Sequence, residues 1–365
     1  MANDKQNTSP NVPNLRFPEF SGEWETLFVD DVCPEFQSGK NIKAENIKSE
    51  GLYPVYGGNG LRGYTDIYNH DGTYVLIGRQ GALCGNVRLV EGRNYITEHA
   101  IAVSSSNEHC IYFLYYLFYK MNLGQYSDQS AQPGLAVNKL LRLKLHIPLK
   151  DEQTKIAKIL TLLDTRIATQ NKIIEDLKKL KVAIRDKQLN AIRKHYGLNY
   201  QICDLLDYEQ PTKYVVTDTE YSDDISKTPV LTANKAFILG YTNETFGVYD
   251  KGKCIILDDF TLDCKYVDFP FKVKSSAIKI LTVKNGYSLR YVYEYLNYLN
   301  LETTEHKRHY ISEMGPMMIA YPTDKKKIDD FNNMMTSLES KIEIENKYLQ
   351  SLLAQKFYLL SNMFI

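Results

Sequence analysis

Apolar residues recur on one alternating beat in two separate stretches of this chain. From Ile156 the spacing runs four, three, four, three: Ile156, Leu160, Leu163, Ile167, Gln170, Ile174, Leu177, Lys181, Ile184. Adding 175 to each number gives Phe331, Met335, Leu338, Ile342, Glu345, Leu349, Leu352, Lys356 and Leu359. Apolar positions coincide with apolar positions, and the polar interruptions coincide too. An average spacing of about 3.5 residues keeps such a stripe on one side of a supercoiled helix. The pattern therefore predicts a heptad seam, occurring twice. Gln170/Glu345 and Lys181/Lys356 cost stability in a seam, and polar residues there fix register and partner orientation. Ile159, Leu162, Ile173 and Leu180 widen the first stripe, which predicts that this helix touches more than one neighbour.

The first seam has clear ends. Pro148 closes an extended segment, and Asp151 and Glu152 favour the positive end of a helix that follows. Lys194 and His195 sit in the last turn and Gly197 caps it. Roughly 44 residues at 1.5 Å rise make a rod of about 65 Å, too long for a core helix and suited to a spacer.

The stretches before the helices also repeat. "LYPVYGGNGLRGYTD" (52–66) and "KTPVLTANKAFILGYTN" (227–243) each lead from a Pro-Val edge through Asn/Gly turn chemistry to Gly-Tyr-Thr. "TYVLIGRQGALCGNVRLVEGRNYITEHAIAV" then parallels "KCIILDDFTLDCKYVDFPFKVKSSAIKIL", and each is followed by a Tyr/Leu-rich helical run. Short β-branched and aromatic strands with one or two helices predict a mixed α/β domain, twice. The expected order is an N-terminal arm (1–23), a first α/β domain (24–149), a central helix (150–197), a second α/β domain (198–323) and a C-terminal helix (324–365). Antiparallel pairing of the helices as an intramolecular coiled coil would relate two similar domains by a pseudo-two-fold axis, each held at a fixed distance from the other.

Composition narrows the function. Lys plus Arg equals Asp plus Glu, 44 each, which argues against a simple basic nucleic-acid binder. The balance is uneven along the chain: residues 150–197 carry 12 basic and 6 acidic side chains, while residues 198–323 carry 13 and 17. Within the latter a run of Lys265, Lys272, Lys274, Lys279, Lys284 and Arg290 is opposed only by Asp268, a candidate phosphate-facing surface. Six scattered cysteines without a C-x-x-C pair predict free thiols and no structural zinc. No apolar run approaches a membrane span and the N-terminus lacks a secretory layout, so the expected location is cytoplasmic.

Catalytic signatures are sparse. "DFTLDCK" places Asp259, Asp263 and Lys265 as in a metal-dependent nuclease, but the proline-aspartate partner of that motif is missing. "YGGNGLRG" lacks the Lys-Ser/Thr ending of a phosphate loop, and no Asn/Asp-Pro-Pro-Tyr/Phe methyltransferase motif occurs. His99 and the other histidines form no triad or metal pattern. The expectation is no catalytic residue and no metal site in this chain.

The order of parts resembles the specificity (S) subunit of type I restriction–modification systems. The resemblance is carried by "VPNLRFPEFSGEWE" (12–25), "YVLIGRQGALCGNV" (74–87), "IPLKDEQTKIAKILTLLD" (147–164), "LDDFTLDCKYVDFPFKVKSSAIKIL" (257–281) and the ending "FYLLSNMF". It departs at "YPTDKKKIDDF", which replaces the Glu152–Gln153 lead-in before the second helix. The resemblance implies a non-catalytic subunit in which two target recognition domains each read half of a bipartite double-stranded DNA site. It also implies docking of two methyltransferase (M) subunits and of motor-nuclease (R) subunits. S-adenosylmethionine, ATP and Mg would then belong to those partners. Base readout needs Arg/Lys for guanine and Asn/Gln for adenine. Those residue types sit in the turn regions: Asn59, Arg62, Arg79, Gln80, Asn86 and Arg88 in the first domain, with Asn234, Lys235, Lys265, Lys272 and Lys274 in the second. The glycines around the first group would let backbone approach a duplex closely. A rival reading keeps the same shape without DNA: a protein-interaction scaffold of two modules on a coiled coil. A stand-alone nuclease is a third.

Overall fold

The structure, a computed structural model, describes residues 11–127, 134–233, 236–303 and 307–365. Its contacts divide the chain into two units. One takes the described residues up to Asn171 with Lys347–Ile365, and the other is Lys172–Asn346. The division falls within both long helices.

In the first unit the described strands are β1 (Glu25–Phe28), β2 (Phe36–Ser38), β3 (Tyr53–Gly57), β4 (Gly60–Thr65), β5 (His70–Asp71), β6 (Tyr74–Gly78), β7 (Val87–Val90), β8 (Arg93–Ile96), β9 (Ala100–Val103) and β10 (Lys144–Ile147). They form sheets ordered β2-β9-β6-β7 and β4-β3-β8-β5, and a β1-β10 pair. The helices are α1 (Val29–Val32), α2 (Ile111–Lys120), α3 (Val137–Leu141) and the first part of α4 (Lys150–Tyr196). All four residues of β9 are buried because two cores enclose it. Ile101 and Val103 join the core under α2, while Ala100 and Ala102 face Leu76, Val90 and Ile96. That double burial is why "AIAV" shows no alternation.

The second unit repeats this plan. Its strands are β11 (Tyr200–Gln201), β12 (Leu206–Glu209), β13 (Thr228–Leu231), β14 (Ile238–Thr242), β15 (Cys254–Asp258), β16 (Cys264–Val267), β17 (Lys272–Val273), β18 (Ile278–Val283) and β19 (Met318–Ile319). The sheets are β12-β18-β15-β16 and β14-β13-β17, with a β11-β19 pair. The helices are α5 (Ile202–Leu205), α6 (Leu289–Leu299) and α7 (Lys325–Asn362), whose last part lies in the first unit. Even the parallel pairing recurs, β3 with β8 and β13 with β17.

The shared sequence signatures have matching causes. Pro54 and Pro229 each occupy the second position of their strand, one residue before the parallel partner begins to pair at Val55 and Val230. Proline lacks the N–H that a two-sided strand requires, so it fits before that point. Gly63 and Gly240 open the two Gly-Tyr-Thr motifs with φ of 148° and 153°. A Cβ at Gly63 would meet the Lys48 carbonyl at 2.6 Å, and one at Gly240 would meet Tyr221 Cβ at 2.6 Å. Glycine lets the crossing segments come close enough to bridge Lys48 to Tyr64 and Ser222 to Tyr241.

Each unit packs α4 against α7. In the first, Ile156, Leu160 and Leu163 share a core with Leu352, Leu359 and Leu360, and Lys356 pairs with Asp164 at 2.6 Å. In the second, Leu189 and Ile192 share a core with Ile328, Phe331 and Met335, and Lys181 pairs with Glu339 at 3.3 Å. Partner numbers fall as α4 advances, so the helices run antiparallel. None of the fourteen apolar seam residues is exposed. α4 does touch more than one neighbour, since it shares a core with α2 as well as α7 and Tyr116 of α2 donates to Asp164 at 2.8 Å. The flanking Ile159, Leu162, Ile173 and Leu180, however, are 37–56% exposed and do not make that contact.

The helix starts differ for a structural reason. Glu152 and Gln153 are buried. Glu152 receives a two-pronged hydrogen bond from Arg16 at 2.8 and 2.7 Å, which fastens the described part of the N-terminal arm. Gln153 accepts from the Cys110 N–H at 2.8 Å and donates to the Pro148 carbonyl at 2.8 Å. At the start of α7, Asp324 instead accepts from the Lys326 N–H at 2.9 Å and Ile328 enters the core. Gly197, at φ 68°, caps α4 by donating its N–H to Arg193 O at 3.0 Å.

Candidate nucleic-acid interface

Two turns in the first unit, with the first residues of the strands that follow them, carry its six candidate DNA-contacting residues. The β3–β4 hairpin closes through Gly57 opposite Gly60, leaving Gly58 and Asn59 at its tip. The β6–β7 connection, residues 79–86, folds back on itself through Gly85 N–H to Gly78 O and Gly78 N–H to Asn86 O, both at 2.8 Å. The turns meet because glycines remove the obstacle. A Cβ on Gly58 would lie 2.7 Å from His99 O, and one on Gly78 would lie 2.6 Å from Leu83 O and 2.7 Å from Gly58 O. These glycines serve the protein's own packing rather than an approach to DNA. Gly81, with nothing within 4 Å of a Cβ, is the one in this turn with open space in front of it.

A cavity of about 500 Å³ lies between the turns, lined by both of them and by Tyr119 and Asn122 at the end of α2. It brings together Asn59, Asn86 and Arg88, all exposed. Arg62 is exposed beside it, its Cδ 2.8 Å from where a Gly57 Cβ would stand. Arg79 is half-buried, and its carbonyl accepts from Leu135 N–H at 2.9 Å. Gln80 is exposed, its Oε1 3.2 Å from His99 Nδ1. Carboxylates pair with Arg16, Arg93, Arg185 and Arg290, whereas among the described residues none pairs with Arg62, Arg79 or Arg88. Three cations without a carboxylate partner among the described residues thus stand at or beside the two turns, as Lys40, Arg142 and Lys144 do elsewhere in the domain.

The second unit spends its cations differently. Asn234 and Lys235 lie outside the described residues. Lys272 is fully buried, 2.6 Å from Glu244 and donating to the Phe246 carbonyl at 2.8 Å. It cannot face a phosphate, which corrects its place among the candidates. Lys279 is buried against Asp259 at 3.5 Å, Lys284 donates to Cys203 O at 2.7 Å, and Arg290 is held by Glu294 at 2.7 Å and by Glu339. Lys272, Lys279 and Arg290 are thus internal struts and Lys284 is tied down at the surface, so the continuous phosphate-facing surface expected from the run does not form. Lys274 is exposed; Lys265 is half-buried in a cleft of about 500 Å³ that also holds Lys253, Asp268 and Glu343. Sequence proximity hid the pairing because Glu244, Asp259 and Glu339 lie tens of residues from their cations.

Burial would raise the Glu244 carboxyl, but the Lys272 ammonium, the Thr217 hydroxyl and two backbone N–H groups outweigh it and hold it down at about 2. Asp259 accepts from the N–H of Tyr310 at 2.8 Å and of His309 at 3.2 Å, while Asp263 turns outward to the Thr261 hydroxyl. The nuclease-like trio is dispersed, and among the described residues no His/Cys/Asp/Glu cluster could hold a metal ion. Tyr119 and Asn122 were not singled out by sequence. A matching signal exists in hindsight: Asn122 and Asn300 follow the two Tyr-rich helices, and both adopt left-handed backbone at φ 48° and 45°.

Residues 21–179 match the family model of the type I restriction modification DNA specificity domain. The chain is similar to the type I restriction enzyme EcoprrI specificity subunit of Escherichia coli, 49% identical over 155 residues. That match covers 41% of this chain, and the chain spans only 38% of that relative's length. Among solved structures, the S subunit of a type I restriction-modification system from M. genitalium superposes with a TM-score of 0.69 at 18% identity, covering 97% of this chain and 99% of the other. A structure described as the basis of complex assembly and conformational transition of the type I R-M system gives 0.54 at 11% identity, covering 94% and 98%. Likeness at such identities establishes the fold. Among the described residues no helix is long and apolar enough to cross a membrane.

Proposed function

We propose that this chain, whose residues 21–179 match the type I restriction modification DNA specificity domain, is the DNA-reading subunit of a type I restriction–modification assembly. Each repeated α/β domain reads one half of a bipartite duplex site. Two methyltransferase subunits and the motor-nuclease subunits supply the chemistry, with S-adenosylmethionine, ATP and Mg bound by those partners. This chain contributes specificity and no catalytic group. The observation that carries the reading is the convergence of two turns in the first domain, bearing Asn59, Gln80 and Asn86 beside three arginines that have no carboxylate partner among the described residues. Amides and guanidinium groups at turn tips are the chemistry of base and phosphate contact. A protein-interaction scaffold would leave those arginines unexplained. The exposed apolar flank of α4, Ile159 and Leu162, together with Leu353 and Phe357 of α7 in the same unit, supports docking of a methyltransferase subunit there.

The test is to purify the chain with its methyltransferase subunits and map methylated bases across a genome. A two-part motif is expected, and exchanging residues 24–149 for the same region of a similar subunit should change one half of it alone. A continuous one-part motif would contradict the reading.

A further inference from the structure

We propose that the cavity between the two turns of the first domain seats a phosphodiester of the DNA backbone. Arg88 and Arg62 hold it, so these arginines fix position and carry no sequence information. The inference rests on the DNA-reading function above and divides labour within it. Shape is the first ground. Base edges lie at the floor of a groove and are reached by something convex, whereas the sugar–phosphate ridge is itself convex and fits a hollow. The tips that flank the hollow, at Asn59 and Gln80, remain free to enter the grooves on either side.

Placement of the cations is the second ground. A Cβ on Gly60 would lie 2.9 Å from Arg88 Nη2, 3.2 Å from Cζ and 3.3 Å from Nε, so the guanidinium lies directly over that glycine. The Arg62 stem covers Gly57, the residue that pairs with Gly60 across the turn. One tight turn is therefore gripped between two arginines with no carboxylate partner among the described residues. Asn86 adds a neutral amide donor in the same hollow, while Asn59 stands at its rim. At the corresponding place in the second domain the chemistry is reversed. Gly78 pairs with Ala100 as Asp258 pairs with Ile278, so a carboxylate stands where the first domain has glycine. That carboxylate accepts from the N–H of Phe260 and Thr261 and would repel a phosphate. The seat belongs to the first domain.

The full chain is titrated with a random-sequence duplex at graded salt, and the methylation motif of the assembled complex is mapped for the same variants. Arg88→Ala should lower the slope of log affinity against log salt by about one, weaken binding evenly on all sequences and leave the motif unchanged. Arg88→Lys should restore the slope, and Arg62→Ala should reproduce both effects of Arg88→Ala. Asn59→Ala should do the opposite, relaxing one base position with the slope intact. An unchanged slope in Arg88→Ala, or relaxation of a single base pair, overturns the seat and makes Arg88 a base reader. If the unaltered chain shows no salt-dependent binding, alone or in the complex, the DNA-reading function fails and the seat fails with it.

Discussion

Lys272 shows how far a residue's identity is from its role. On the sequence it is one of six cations with a single acidic neighbour; in the fold it is sealed beneath Phe246 and neutralised by Glu244. Removing one partner of such a pair leaves a buried charge uncompensated, so Glu244→Gln should cost about 3–5 kcal/mol in urea unfolding. The pH dependence has a definite sign. Glu244 titrates near 2 in the folded chain against 4.5 for the ordinary group. Its contribution is therefore complete above about pH 4.5 and is lost as pH falls through 2. Thermal melts between those values should drop steeply in the native chain and more shallowly in Glu244→Gln. Equal slopes would show that the Lys272 pair is not what acid dissolves. Which arginines stay unpaired and which lysines become struts was not legible in sequence, because pairing joins residues that only the sheets bring together.

Elements were far more legible, since their signals are local. The alternating seam spacing and the repeated Pro-Val and Gly-Tyr-Thr signatures each act within a few residues and have a matching cause in both units, whereas the two helix starts, equally local, are built differently. The seam's polar members also repeat: Lys181 meets Glu339 while Lys356, 175 positions on, meets Asp164, itself 175 positions before Glu339. What spacing could not separate was the seam from its flank. Leu160 and Met335 are fully buried, whereas Leu162 is 56% exposed, although all three sit in apolar stripes. Leu160→Ala and Met335→Ala should each destabilise the chain by about 2–5 kcal/mol. Leu162→Ala should stay within about 0.5 kcal/mol, as exposed substitutions do. If the flank docks a methyltransferase subunit, Leu162→Asp should leave unfolding of the chain unchanged and abolish co-purification of that subunit. A full-strength complex with Leu162→Asp would show that the stripe is merely exposed.

At the scale of the whole molecule, both long helices pass from one unit into the other, at Asn171–Lys172 and at Asn346–Lys347. Seven residues occupy two turns of a heptad seam, so inserting one heptad at each junction keeps every apolar position facing its stripe. The insertion adds about 10 Å of helix, close to the rise of three base pairs. The methylation motif of the assembled complex should then keep both half-sites and widen the gap between them by about three base pairs. Inserting the heptad in α4 alone shifts one seam against the other, sets Lys181 away from Glu339 and should abolish methylation. A widened gap with unaltered half-sites would mean that readout belongs to the domains and spacing to the helices. An unaltered gap after the double insertion would mean that the helices do not set the distance between the half-sites, and the repeat would then require another explanation.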